Sequence, residues 1–225
     1  MFKKIKFHRF GLLAAVLAVF GAFAVVNTPT SQMQERMTQN KMKMSADEVL
    51  GGWTGTPREV AMKTMQKYGQ PTGMTSNMLV WENSGSWKRT VVYRQEVPHN
   101  FPMPHTDLLE QFIDYGVPAD KFDELAEYDG SVVVQRTVGE MSARCDKEEM
   151  NFLALNLAND IVTGKRSVKD AREFYAKTAM AFKNGQMSPY TQGLQFQVSK
   201  GNTAFPDQPA KMMDMKMDKN MKNKN

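Results

Sequence analysis

The chain has 225 residues, with 29 Lys and Arg against 24 Asp and Glu. The positive excess lies at the ends: residues 1–24, 25–45 and 211–225 carry +4, +2 and +3, which leaves −4 on residues 46–210. Such a core lacks the concentrated cationic surface that phosphate binding needs, which argues against a nucleic-acid partner. A single cysteine, Cys145, excludes an internal disulfide, so one hydrophobic core must hold about 165 residues unaided.

The first residues predict a secretory leader. Lys3, Lys4, Lys6 and Arg9 precede an uncharged apolar run from Phe10 to Val26, and Ala22-Phe23-Ala24 offers small residues at the positions a signal peptidase reads. The expectation is a signal peptide over 1–24 and a periplasmic or secreted product. No stable membrane insertion is expected after cleavage, and no lipid anchor, since no cysteine lies at that point. Residues 25–45 are polar and aperiodic and predict a disordered linker.

From residue 46 the signals become orderly. Thr56-Pro57-Arg58-Glu59 reads as a capping box opening a helix that Gly69 and Pro71 stop. Met74 to Glu82 and Trp87 to Arg94 read as two strands of a hairpin, with Trp87, Arg89, Val91 and Tyr93 on one face. A proline-rich loop spans Val97 to His105. Thr106 then caps a predicted short helix carrying Leu108, Leu109, Phe112 and Ile113, and Pro118 opens another that Asp129-Gly130 closes. The helix ending in Tyr68-Gly69-Gln70-Pro71, followed by a Trp-bearing hairpin, resembles small envelope-assembly lipoproteins over about forty residues. The lipid-attachment cysteine is absent, and the resemblance assigns no site residues.

Ser131 to Thr137 and Glu140 to Cys145 predict a second hairpin turning at Val138-Gly139. Asp146 is placed as the cap of a helix with Met150, Leu153, Ala154, Leu157 and Ile161 inside. Ser167 caps the next, which Gly185 stops, and Leu194, Phe196 and Val198 alternate as a last strand. The order α-β-β-α-α-β-β-α-α-β, with hairpins between helix pairs, predicts a single α+β domain over 46–201. Residues 202–225 then form a Met/Lys-rich disordered tail.

No phosphate loop, dinucleotide fingerprint, zinc-protease helix or nucleophile elbow occurs, so neither a cofactor nor a reaction class is indicated. Cys145 precedes a predicted helix, where a thiol can be activated for Cys-His chemistry with His99 or His105 as base. A packed structural cysteine is the reading adopted, because a strand running into a long amphipathic helix is ordinarily buried. The eight carboxylates from Asp107 to Asp129 are expected on the solvated faces of the two short helices.

Methionine is the anomaly: nineteen in the chain, nine of them in the flanks. Met33, Met37, Met42 and Met44 precede the domain, and Met212, Met213, Met215, Met217 and Met221 follow it. Flanks without a core have no packing use for thioethers, which are soft ligands for Cu(I) or Ag(I). His99, Met103 and His105 add two imidazoles and a thioether within one proline-stiffened loop. The sequence therefore predicts a non-enzymatic binding or interaction domain whose partner is an envelope protein or polymer. The alternative is copper or silver handling through His99, Met103, His105 and the tail methionines.

Overall fold

The computed structural model describes residues 45–209. The leader, the linker up to Met44 and all five tail methionines lie outside the described residues. Helix α1 spans Ala46–Gly51 and α2 Gly55–Tyr68; strands β1 (Gly73–Thr75), β2 (Met78–Ser84), β3 (Trp87–His99) and β4 (His105–Asp114) follow. A 3₁₀ turn (Ala119–Lys121) leads into α3 (Phe122–Tyr128). Then come β5 (Val132–Gln135), β6 (Glu140–Cys145), α4 (Glu148–Val162), α5 (Val168–Lys183) and the short α6 (Pro189–Gln192). The strands form one antiparallel sheet in the order β1-β2-β3-β4-β6-β5. This is the expected α+β domain.

Register explains the layering. Residues directly opposite across strands share a face. One row runs Leu79–Val92–Leu109–Cys145, and the next Trp81–Thr90–Gln111–Ala143–Val132. These rows carry the helices. α1, α2 and the turn between them cover the β2–β3 end with Val49, Leu50, Ala61 and, from the turn, Trp53, and α4 covers the β4–β6 end with Leu153, Leu157 and Ile161. The row Val80–Val91–Glu110–Arg144 belongs to the other face, which is dressed with charge. There Tyr93 donates to Glu110, Ser142 donates to the same carboxylate, and Arg144 lies 4.0 Å from the Tyr93 ring.

Several expectations are corrected. Leu108, Leu109, Phe112 and Ile113 sit not on a helix but on β4, a central strand. Such a strand is buried on both faces, and its adjacent apolar pairs fit helical and two-sided strand periods alike. β3 runs on to His99 through a bulge between Val92 and Val97, so the expected proline loop shrinks to Asn100–Pro104. The long strand expected over Met74 to Glu82 is broken in two by a turn at Ser76-Asn77. Trp87 does not share the role of Arg89: its indole stacks on Phe152 of α4 at 4.5 Å, whereas Arg89 pairs with Glu140.

Caps differ too. α2 begins at Gly55 without the Thr56 box, and Asp146 does not cap α4, whose N-cap is Lys147. α1, which the sequence pattern had not marked out, is opened by a capping box between Ser45 and Glu48. Ser167 caps α5 as expected by accepting the Asp170 N–H.

The strand expected at Leu194 to Val198 does not form. The buried Asn156 side chain donates to the carbonyls of Tyr190 and Gly193 and accepts the N–H of Gln195. That side chain supplies the partners a neighbouring strand would otherwise give, and the segment packs as irregular chain. Residues 203–205, expected within the tail, rest on the β5–β6 turn through Thr203 Oγ1 to the Gly139 carbonyl and Phe205 N–H to the Arg136 carbonyl. Gly139 has φ of 75°, and a Cβ there would meet the Thr203 backbone at 2.2 Å.

Candidate metal centre

His99 and His105 are a directly opposed pair closing the β3–β4 hairpin. Asp107 lies two residues beyond His105, so the strand period of two places it on the same face. That face is the one covered by helices, which is why Asp107 is buried. His99 Nδ1 stands 3.1 Å from Asp107 Oδ2, and His105 Nε2 stands 3.2 Å from Asp107 Oδ1. One donor atom from each of the three residues lies within 4.8 Å of the others.

These contacts are close without being hydrogen bonds. Among the described residues, His99 Nδ1 and Asp107 Oδ1 are buried and lack a partner at hydrogen-bond geometry. Each has a polar neighbour of the cluster at 3.1 or 3.2 Å, but out of hydrogen-bond alignment. Among the described residues five buried side-chain atoms are without a hydrogen-bond partner, and two of them belong to one cluster of three residues. A cation between these atoms would satisfy both.

The outer nitrogens are held separately. His105 Nδ1 lies 2.8 Å from the Met103 carbonyl, which fixes that nitrogen as the protonated one and leaves Nε2 toward Asp107. His99 Nε2 faces Asp129 Oδ1 at 3.7 Å. The Asp129 carboxylate is itself held by the Ser131 N–H and hydroxyl, at 2.9 and 2.8 Å. Each imidazole thus has one nitrogen toward Asp107 and the other toward an outer acceptor, the arrangement that orients metal-binding histidines.

Charge follows from this packing. The Asp107 contact, and after it Cys145, raises the His105 pKa to about 11. Without a metal, a proton on His105 therefore balances the Asp107 carboxylate; with one, proton and cation compete for the same nitrogen. Burial pushes Asp129 above the usual carboxylate range, against the Ser131 donors. Burial likewise raises the Cys145 thiol, against the lowering effect of His105.

His105 also forms part of the wall of a cleft of about 610 Å³, together with Met103, Cys145, Met150, Tyr175 and Phe182. The rings of His99 and His105 are 4.9 Å apart.

The structure thus brings together two of the expected site residues, His99 and His105. Met103 enters through its main-chain carbonyl and through the cleft wall. Met212, Met213, Met215, Met217 and Met221 fall outside the described residues. Asp107 and Asp129 were missed. Their expected place on solvated helix faces is wrong, because Asp107 is on β4 and Asp129 ends α3 with its carboxylate turned inward. The available signal was His105-x-Asp107, which shares a face only if the segment is a strand. Cys145 is buried, as expected. Among the described residues, no helix is long and apolar enough to cross a membrane.

Comparison with protein-family models, with curated proteins and with solved structures finds no significant match to this chain.

Proposed function

We propose that this chain is an exported metal-binding protein that holds one divalent transition-metal ion between His99, His105 and Asp107. The observation carrying this reading is the pair of unpartnered buried atoms, His99 Nδ1 and Asp107 Oδ1, set beside the oriented His105 Nε2. Two imidazoles and a carboxylate suit Zn(II) or Cu(II), whereas thioethers suit Cu(I). The core site is therefore of a different class from the tail methionines, which remain the support for Cu(I) or Ag(I) handling as a separate property. The leader supports a periplasmic or secreted location. Binding through a fixed site needs no reaction, in keeping with a non-enzymatic binding domain.

Competition between the full mature chain and a chromophoric chelator for Zn(II) tests this. One equivalent of zinc is expected to leave the chelator. His99→Ala and Asp107→Asn should each abolish that competition, and deletion of residues 211–225 should leave it unchanged. A wild-type chain that takes no zinc, or a binding stoichiometry lost with the tail alone, refutes the assignment.

A further inference from the structure

We propose that Arg172 on α5 is a positioning residue of the metal centre, tying the hairpin tip next to His99 to the helix end next to Asp129. This rests on the metal assignment above. The two segments come from distant parts of the chain: His99 ends β3, and Asp129 follows α3. Their side chains meet at His99 Nε2 and Asp129 Oδ1, 3.7 Å apart and beyond hydrogen-bond range. No bond within the pair holds it at that distance, so its separation is set by whatever fixes the two segments.

Arg172 reaches both. Its Nη1 donates to the carbonyls of Glu127, at 3.3 Å, and Tyr128. Those carbonyls belong to the last turn of α3, where intrahelical partners run out, and Tyr128 immediately precedes Asp129. The Cζ of the same guanidinium lies over the Phe101 ring, 3.8 Å from its centroid. Phe101 is two residues past His99, in the hairpin tip. A guanidinium is planar and can donate in its plane while it stacks on a ring. Tyr175, one turn further along α5, spans the same two segments: its ring is 5.2 Å from that of Phe101 and 6.4 Å from that of Tyr128. Tyr175 and Tyr128 are buried and Arg172 is half-buried. Arg172 thus acts on the ion through Asp129, whose carboxylate orients the His99 ring.

The test is a double-mutant cycle on the full mature chain, with zinc affinity read by chelator competition and urea midpoints read in parallel. Arg172→Met keeps an unbranched stem of similar helix propensity and removes the donors and the charge. It should weaken zinc binding about tenfold, the lower end of the loss expected for a group behind a ligand. In the Asp129→Asn background the same change should cost less than about twofold, because the charge it positions is gone. A merely structural arginine would lower the urea midpoint and the affinity alike, whichever residue stands at 129. Phe101→Leu removes the ring under the guanidinium and should show the same dependence on Asp129, which keeps the cycle readable should Arg172→Met not fold. Unchanged zinc affinity in Arg172→Met, or equal losses in the two backgrounds, overturns the inference and leaves the metal site standing. A wild-type chain that takes no zinc overturns both.

Discussion

Glu148 ties the two halves of the helical layer together, and replacing it should cost more than any exposed ion pair could explain. Its carboxylate accepts from Trp87 Nε1 at 2.6 Å, from Gln111 Nε2 at 3.3 Å, and from the Tyr68 hydroxyl and the Lys67 ammonium. Trp87 and Gln111 are buried on the sheet, and Tyr68 ends α2. Glu148→Ala strands the Trp87 N–H and the Tyr68 hydroxyl, at about 1–3 kcal/mol each. The Lys67 pair adds at most about 1 kcal/mol, because the lysine is more than half exposed. The expected loss is about 3–5 kcal/mol, a large share of an ordinary domain stability of about 5–15 kcal/mol. Glu148→Gln keeps an acceptor oxygen and should lose about 1–2 kcal/mol. Urea unfolding followed by Trp fluorescence reads both variants. Loss of less than about 1 kcal/mol in Glu148→Ala, or equal losses in the two, would mean that the buried donors do not depend on this carboxylate.

The same carboxylate sets an acid limit. Burial alone would raise its pKa, but the donors from Lys67, Trp87 and Tyr68 outweigh it and hold Glu148 below the usual value. A depressed folded pKa contributes stability that is present above the ordinary glutamate range and lost as pH falls through the folded value. The midpoint should therefore drop below about pH 4, and less so in Glu148→Gln. Asp129→Asn should weaken zinc binding about 10–100-fold without changing stoichiometry, since it removes the charge facing His99 Nε2 and keeps an oxygen for the Ser131 donors; unchanged affinity in a zinc titration sinks that role. Gly139→Ala should free residues 203–207 to proteolysis, because the new Cβ collides with the Thr203 backbone; wild-type resistance would count against the contact. Cys145→Ala should keep one zinc per chain, and rapid labelling of the native thiol would contradict its burial.

Elements whose signals are local were legible in the chain. α5 buries a single stripe, Ala171, Tyr175, Thr178 and Ala179, behind the local Ser167 cap, while α4 stands out as an apolar run, and both it and β6 are buried on nearly every side. What failed depended on distant partners. β4 reads as a helix until one sees that β3 and β6 flank it and that both its faces are covered. The Leu194–Val198 segment reads as a strand until the Asn156 amide, some forty residues away, takes its backbone groups. The site followed the same logic. His99 and His105 stood out by residue type, but the mistaken helix at Thr106 hid Asp107. A helix turns residues 105 and 107 well apart, and only a strand puts them side by side. Asp129 could not be found from the sequence at all, because the end of α3 brings it to His99 through tertiary packing.

Anomalous diffraction from zinc-soaked crystals of the mature chain reads directly whether one metal ion sits between His99, His105 and Asp107. A single strong peak is expected at the zinc edge, about 2.0–2.2 Å from His99 Nδ1, His105 Nε2 and an Asp107 oxygen. An empty centre with those three side chains hydrogen-bonded to one another, or zinc found only elsewhere, would contradict it.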